Sequence, residues 1–161
     1  MVNGPQISLK NIFLSFGEKQ IFEGLNLLVQ PRDRIALVGR NGSGKSTLLK
    51  VLQGLVIQDE GERILSKGVS VGYMEQDPNL SEFATLKDYV CSEILVNDYH
   101  LGEKVAQNLG IDLDVPINES SGGERRRAAL TKLVAEKHDV MLLDEPTNHL
   151  DVDAIEWLEA E

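Results

Sequence analysis

Eight consecutive residues, Gly39-Arg40-Asn41-Gly42-Ser43-Gly44-Lys45-Ser46, fit the phosphate-binding pattern G-x-x-x-x-G-K-[ST], and Thr47 follows them. Their flanks agree with the letters. Upstream, Arg34-Ile35-Ala36-Leu37-Val38 reads as a buried strand; downstream, Ser46 to Leu52 reads as the first turns of a helix with an apolar face. A strand, a glycine-rich turn and a helix N-terminus make an anion cradle: backbone amides freed by the glycines point at phosphate oxygens, and the helix dipole adds positive potential. In such a cradle Lys45 reaches the β- and γ-phosphates and the Ser46 hydroxyl ligates Mg²⁺. The pattern therefore predicts a nucleotide site in an α/β domain.

The rest of the composition limits what that domain does. At 161 residues the chain has the length of one domain with a real core. No apolar run reaches membrane-spanning length, and the start lacks a basic, then apolar, leader pattern, so the expectation is a cytoplasmic protein with no membrane contact from this segment. The single Cys91 rules out an intramolecular disulfide or a thiolate metal cluster and reads as a half-buried helix residue. A formal net charge of −10 argues against this segment being the nucleic-acid-binding surface, which needs clustered Lys and Arg. Acidity does not exclude the nucleotide, because backbone amides and a bound cation set the local field.

Around the cradle, Ile7 to Leu14, Ile21-Phe22 and Leu25 to Val29 read as strands of a small antiparallel sheet, with a polar turn at Gly17 to Gln20 and a break at Gly24. Glu62 to Leu65 and Val69 to Met74 read as two more strands around Lys67-Gly68. From about Leu80 to Ile117 the pattern is helical. One helix is predicted over Thr85–Leu95, with Thr85 or Ser81 as cap, and another over Leu101–Leu109, ending at Gly110; a loop over Asp112–Asn118 follows. Gly123 to Ala135 reads as a helix, Val140 to Leu143 as a central parallel strand, and Val152 to Ala160 as a helix capped by Asp151.

Asp144 and Glu145 follow the apolar strand. A carboxylate at that place beside a phosphate cradle suits a Mg²⁺ ligand, and the adjacent acid suits a group that orients or deprotonates water. Two acids after a strand are also common surface decoration; the cradle is what tips the balance. Ser121-Gly122-Gly123-Glu124 opens a helix and makes a second anion site, or a plain helix cap. Two such sites in one chain fit an arrangement in which one copy's Ser-Gly-Gly turn closes over nucleotide held by another copy's cradle. Arg125, Arg126 and Arg127 cannot all face one way, so some are expected to be solvated or to pair with local acids.

In this order, Gly39–Thr47, Gln76 after a strand, Ser121–Glu124 and Leu142–Asp151 resemble the Walker A, Q-loop, signature, Walker B and D-loop of ATP-binding-cassette (ABC) ATPases, over nearly the whole chain. The resemblance implies a P-loop core with a mostly parallel sheet flanked by helices, an N-terminal antiparallel β subdomain and a small helical subdomain near residues 80–117. It implies ATP and Mg²⁺ as ligands. Phe16 would stack on adenine, a contact that tolerates guanine too. Gln76 would contact Mg²⁺ and the attacking water. Glu145, with Lys45 and Gln76, would carry catalysis; Ser46, Gln76 and Asp144 would hold the metal. Asp151 would belong to the D-loop, which communicates across a cassette dimer.

Asn148-His149 after Glu145-Pro146-Thr147, Glu124 in the signature, and Trp157-Leu158-Glu159 are similar to the ABC-F class, and the Ile155–Glu159 ending to the first cassette of its Uup-type members. That class implies a soluble, duplicated ATPase acting on ribosomes. Its partners would be a second cassette and ribosomal RNA, the latter reached through an arm and a linker not found in these residues. Two alternatives stand beside it: the ATPase subunit of a membrane transporter, and a nucleotide-binding fragment without turnover. The pattern departs from the family at three places. Ser120 stands where leucine usually precedes the signature serine, and is expected to loosen packing there. The segment between Asp88 and Leu109 holds two short helices, with a seam near Val96–His100, where ABC-F members insert a charged arm. No strand with a switch histidine follows Asp151, and neither His138 nor His149 occupies that position, so the expectation is C-terminal truncation and little turnover by these 161 residues alone.

Overall fold

The structure is a computed structural model that describes residues 4–74, 78–146 and 150–160, with the backbone alone for Asn97. Its contacts divide the chain into two compact units, Met1–Tyr73 and Met74–Glu161.

In the first unit, β1 (Ile7–Phe16) is the middle strand of a three-stranded antiparallel sheet, between β2 (Lys19–Val29) and β3 (Glu60–Leu65). Ile7, Leu9, Ile12 and Leu14 are buried, and the alternation that predicts a strand breaks where the register shifts after Leu9. Asn11 sits there at φ 49, and its amide donates to Asn26 Oδ1 at 2.9 Å. The break expected at Gly24 is a bulge instead. Gly24 takes φ 68 and β2 runs through it, because an irregularity in the ladder lets the strand continue past an extra residue.

Helix α1 (Lys45–Gln53) buries Leu48, Leu49, Val51 and Leu52 and ends at Gly54, whose φ of 91 gives the left-handed turn that bonds back to Lys50 and Val51 carbonyls. Strand β4 (Val71–Tyr73) lies beside α1. Arg63 on β3 grips the same C-terminal end of that helix: its Nε and Nη2 donate to the Leu52 carbonyl at 2.9 and 2.6 Å, and burial pulls its pKa below the ordinary arginine value.

One expectation fails in this unit. Residues 34–38 form no strand among the described residues, and Ile35 and Val38 are exposed, Val38 at 95%. An apolar pentapeptide becomes a strand only where a neighbour takes its amides. In this unit β2 and β3 flank β1, and no ladder reaches residues 34–38.

The second unit is mostly helical. α2 (Leu86–Cys91) is capped by Thr85, whose hydroxyl accepts from the Asp88 amide while Asp88 accepts from the Thr85 amide. Ser81 is not the cap, since its amide and hydroxyl both bond to Asn79 Oδ1. The helix stops four residues short of the expected Leu95, where the Ser92 hydroxyl donates back to the Tyr89 carbonyl. A 3₁₀ turn at Val96–Asp98 then leads into α3 (Tyr99–Asn108).

α4 (Gly122–Ala135) and β5 (Val140–Leu142) follow, with α5 (Val152–Ala160) last. The core joins Leu86 and Val90 of α2 to Leu109 and to Ala128, Leu130 and Leu133 of α4, with Trp157 and Leu158 packed against it. The Met74 amide donates to the Leu142 carbonyl at 2.9 Å. Cys91 is buried, and burial raises its pKa, which keeps the thiol protonated and unreactive. Among the described residues no helix is long and apolar enough to cross a membrane.

Candidate functional site

The first unit builds the cradle from local chemistry. Gly42 and Gly44 take φ 78 and 98, so the loop needs glycine at both. A Cβ on Gly44 would lie 2.9 Å from Ile21 Cγ2 and 3.3 Å from the Phe22 ring. The loop is thus seated directly on β2, with no space for a side chain. Gly44 caps α1 without any side-chain hydrogen bond, and no acidic residue occupies the first turn. The first-turn amides and the positive end of the dipole remain available to an anion. Lys45 Nζ folds back onto the loop, donating to the Gly39 carbonyl at 2.9 Å and the Arg40 carbonyl at 3.2 Å. The Ser43 amide donates to the Arg40 carbonyl at 3.1 Å. Asn41 is exposed, and Ser46 and Thr47 are half-buried in the first turn. Phe16 ends β1 with 53% of its surface in solvent, free to stack against a planar ring.

The second unit holds the other candidate groups. Ser121 caps α4 in a reciprocal box: its Oγ accepts from the Glu124 amide at 3.2 Å, and Glu124 Oε2 accepts from the Ser121 amide at 2.8 Å and the Ser121 hydroxyl at 2.7 Å. The hydroxyl, then the amide, hold the Glu124 carboxyl below the usual glutamate value. A Cβ on Gly122 would meet nothing within 4 Å, so that side of the turn is open. The cap reading is the one this geometry displays.

Asp144, just past β5, is 5% exposed, and its Oδ2 has no hydrogen-bond partner among the described residues. A buried carboxylate oxygen without a donor is costly unless a cation completes it. A carboxylate oxygen is the kind of hard donor that suits Mg²⁺, which takes one or two carboxylates together with phosphate oxygens. Glu145 is exposed and holds φ 50, a left-handed conformation that costs a non-glycine residue roughly 1–3 kcal/mol and clusters at functional sites. Asp151 Oδ1 accepts from the Ala154 amide at 2.8 Å, making it the N-terminal cap of α5.

The structure therefore gathers Gly39–Thr47 in the first unit. In the second, it gathers Ser121–Glu124 and sets Asp144 beside Glu145. Gln76 and Asn148-His149 lie outside the described residues. Sequence reasoning assigned Arg125 no specific partner: its Nε donates to the Ser120 hydroxyl at 2.9 Å and its Nη2 to the Ile117 carbonyl at 2.8 Å. It also did not foresee the bond that Ser120 makes: its hydroxyl donates to the Ile117 carbonyl at 2.7 Å. The unusual serine was the signal, but nothing in its neighbours named its partner.

A family model described as "ABC transporter" matches residues 22–148. The chain is 47% identical over 158 residues to the ATP-binding protein Uup of Caulobacter vibrioides, covering 98% of this chain and 26% of that protein. It is 33% identical over 193 residues to the energy-dependent translational throttle protein EttA of Mycobacterium tuberculosis, covering 94% of this chain and 35% of that protein. The chain thus spans about a quarter to a third of the length of these curated relatives. Among solved structures, the ATP binding subunit of an ABC transporter superposes with a TM-score of 0.83 at 20% identity, over 95% of this chain and 71% of the other. A bacterial Atm1-family ABC exporter with ATP bound gives 0.81 at 22%, over 99% of this chain and 33% of the other. At those identities the structures establish a shared fold.

Proposed function

Because this chain belongs to the ABC transporter ATP-binding family, whose domains bind ATP, we propose that it is a cassette of an ABC-F type cytoplasmic ATPase. In this reading it supplies half of a composite Mg-ATP site and works with a second cassette on the translation machinery. The name of the EttA relative supports the translational role. The single observation that carries the hydrolytic part is Asp144, a buried carboxylate with an oxygen that has no donor among the described residues.

The residues divide the work as follows. The Gly39–Thr47 amides and the α1 dipole bind the phosphates, and Lys45 exchanges its loop carbonyls for phosphate oxygens. Phe16 stacks on the base. Ser46, Gln76 and Asp144 would hold Mg²⁺, which when bound neutralises charge on the β- and γ-phosphates. Glu145 orients water and takes its proton as the water attacks the γ-phosphorus; the bond to the β–γ bridging oxygen breaks, leaving ADP and phosphate. A Ser121-Gly122-Gly123 turn from the second cassette closes over the nucleotide and gives its amides to the γ-phosphate. Asp151 lies where the two cassettes meet. The isolated 161 residues bind nucleotide with little turnover, since each composite site draws on two cassettes.

The test uses the complete gene product. Glu145→Gln retains ATP binding and loses turnover by about 100-fold or more. ATP then traps the Glu145→Gln protein on ribosomes in a sedimentation assay. Sedimentation with membranes in place of ribosomes, through a permease, overturns the translational reading and favours a transporter subunit.

A further inference from the structure

The Ser121–Gly123 turn is flanked by two side chains that converge on one carbonyl. On its N-terminal side, Ser120 is buried, and its hydroxyl donates to the Ile117 carbonyl at 2.7 Å. On its C-terminal side, the half-buried Arg125 donates through Nη2 to the same carbonyl at 2.8 Å, and through Nε to the Ser120 hydroxyl at 2.9 Å. Three groups thus close a small ring of hydrogen bonds under the turn. Ile117 is itself anchored, since its amide donates to the Ala84 carbonyl at 3.0 Å. The same strip is stapled to the start of α2 by the Leu86 amide on the Val115 carbonyl and the Lys87 amide on the Leu113 carbonyl. The ring therefore ties the turn to the body of the second unit.

We propose that Ser120 and Arg125 are positioning residues for the Ser121-Gly122-Gly123 turn. By locking both of its flanks to the Ile117 carbonyl, they fix the direction in which the Gly122 and Gly123 amides point. A leucine at position 120 would hold the turn by packing alone; the serine holds it by direction, because a hydroxyl that both donates and accepts has a fixed geometry. Arg125 is suited to the second half, since its planar fork reaches two acceptors at once where a lysine presents a single mobile point. The inference rests on the reading of this turn as the partner half of the composite ATP site.

The experiment compares Ser120→Ala, Ser120→Thr, Arg125→Lys and the Ser120→Ala/Arg125→Lys double variant in the complete gene product. Steady-state ATP turnover is measured beside the affinity of the cradle for a fluorescent ATP analogue. Ser120→Ala is expected to lower kcat about tenfold through misplacement of the turn, with KM and analogue affinity unchanged. Ser120→Thr, which keeps the hydroxyl, restores kcat to within about twofold. The double variant is no worse than the worse single one, because the two side chains act as one unit. An unchanged kcat in Ser120→Ala, equal damage in Ser120→Ala and Ser120→Thr, or additive effects overturns the proposal. If Ser120→Ala does not fold, Arg125→Lys, which keeps the charge and most of the buried stem, decides the matter by the same split of kcat from KM. Gly122→Asp separates the two levels. If it turns over ATP normally, the composite-site reading falls and the proposal with it; if it is inactive while Ser120→Ala is normal, only the positioning role falls.

Discussion

The ammonium of Lys45 donates to the carbonyl oxygen of Gly39 at 2.9 Å, so the cradle's own cation closes the loop from which it springs. A second bond to the Arg40 carbonyl at 3.2 Å completes the latch. These are solvent-exposed bonds to neutral carbonyls, which phosphate oxygens outbid because both partners are then charged. Replacing Lys45 with Ala should leave the melting temperature of the nucleotide-free chain nearly unchanged. The stabilisation given by Mg-ATP should be lost. At a ligand concentration near 100 Kd that stabilisation is about 2.7 kcal/mol, which raises the melting temperature of the parent chain by roughly 5–10 °C. A thermal melt with and without Mg-ATP reads both numbers, and an unaltered shift in Lys45→Ala would remove the lysine from the site.

Asp144 makes the opposite kind of prediction. Its Oδ2 is buried and has no hydrogen-bond partner among the described residues, so without a cation the carboxylate weakens the fold. Asp144→Asn removes the charge at nearly constant volume. The nucleotide-free chain should be as stable as the parent or more so by about 1 kcal/mol. Its stabilisation by ATP should be the same with Mg²⁺ as with EDTA, whereas the parent should distinguish the two. Chemical denaturation of parent and variant without nucleotide, with ATP and Mg²⁺, and with ATP and EDTA checks this. A large loss of stability in the metal-free variant would mean that Asp144 is a structural anchor.

What was legible in the sequence is what neighbours in the chain can settle. The Thr85–Asp88 and Ser121–Glu124 boxes and the Asp151 cap are bonds across three residues, so the letters carry them. The glycine turn of the cradle is equally local. Residues 34–38 are the reverse case: their apolar run is a strand only if another segment supplies the ladder. Arg125 and Ser120 meet through a helical turn, and their common acceptor is a backbone carbonyl that no residue type announces. Gly24 has the ambiguity of any glycine in a strand, a break or a bulge, which only the partner strand resolves.

Gly61 shows a constraint that comes wholly from such a partner. It lies in β3 at φ 94, and a Cβ there would collide with the carbonyl oxygens of Asn11 and Lys10 on β1. The close approach occurs where β1 is irregular, at Asn11 with φ 49. A Cβ there must push the two backbones apart, so Gly61→Ala should destabilise the chain by about 2–3 kcal/mol, from the strained φ together with the displaced strand. By contrast, Gly68→Ala has open space around its Cβ and carries only the cost of its φ of 82, about 1 kcal/mol. Equal losses in paired urea denaturation curves would show that backbone conformation alone, and not the approach of β1, makes Gly61 necessary.

The Ser121–Glu124 box gives a pH dependence with a definite sign. Hydrogen bonds from the Ser121 hydroxyl and amide lower the Glu124 pKa in the folded chain below its unfolded value. A depressed carboxylate pKa contributes stability that is fully present above the unfolded glutamate value and is lost as pH falls through the folded one. The box is therefore intact at neutral pH, and protonation opens it only in acid. The Glu124 carboxyl carbon, followed by NMR, should titrate with a midpoint below the ordinary glutamate value. Exchange of the Ser121 amide should accelerate over the same acid range, relative to the intrinsic rate at each pH. Glu124→Gln should abolish that acid dependence while keeping a neutral version of the box. The charge of that carboxylate beside the turn would oppose an incoming phosphate in the proposed composite site, so the neutral variant should bind nucleotide at least as well as the parent. A Glu124 midpoint at or above the ordinary glutamate value would show that the box does not form in solution.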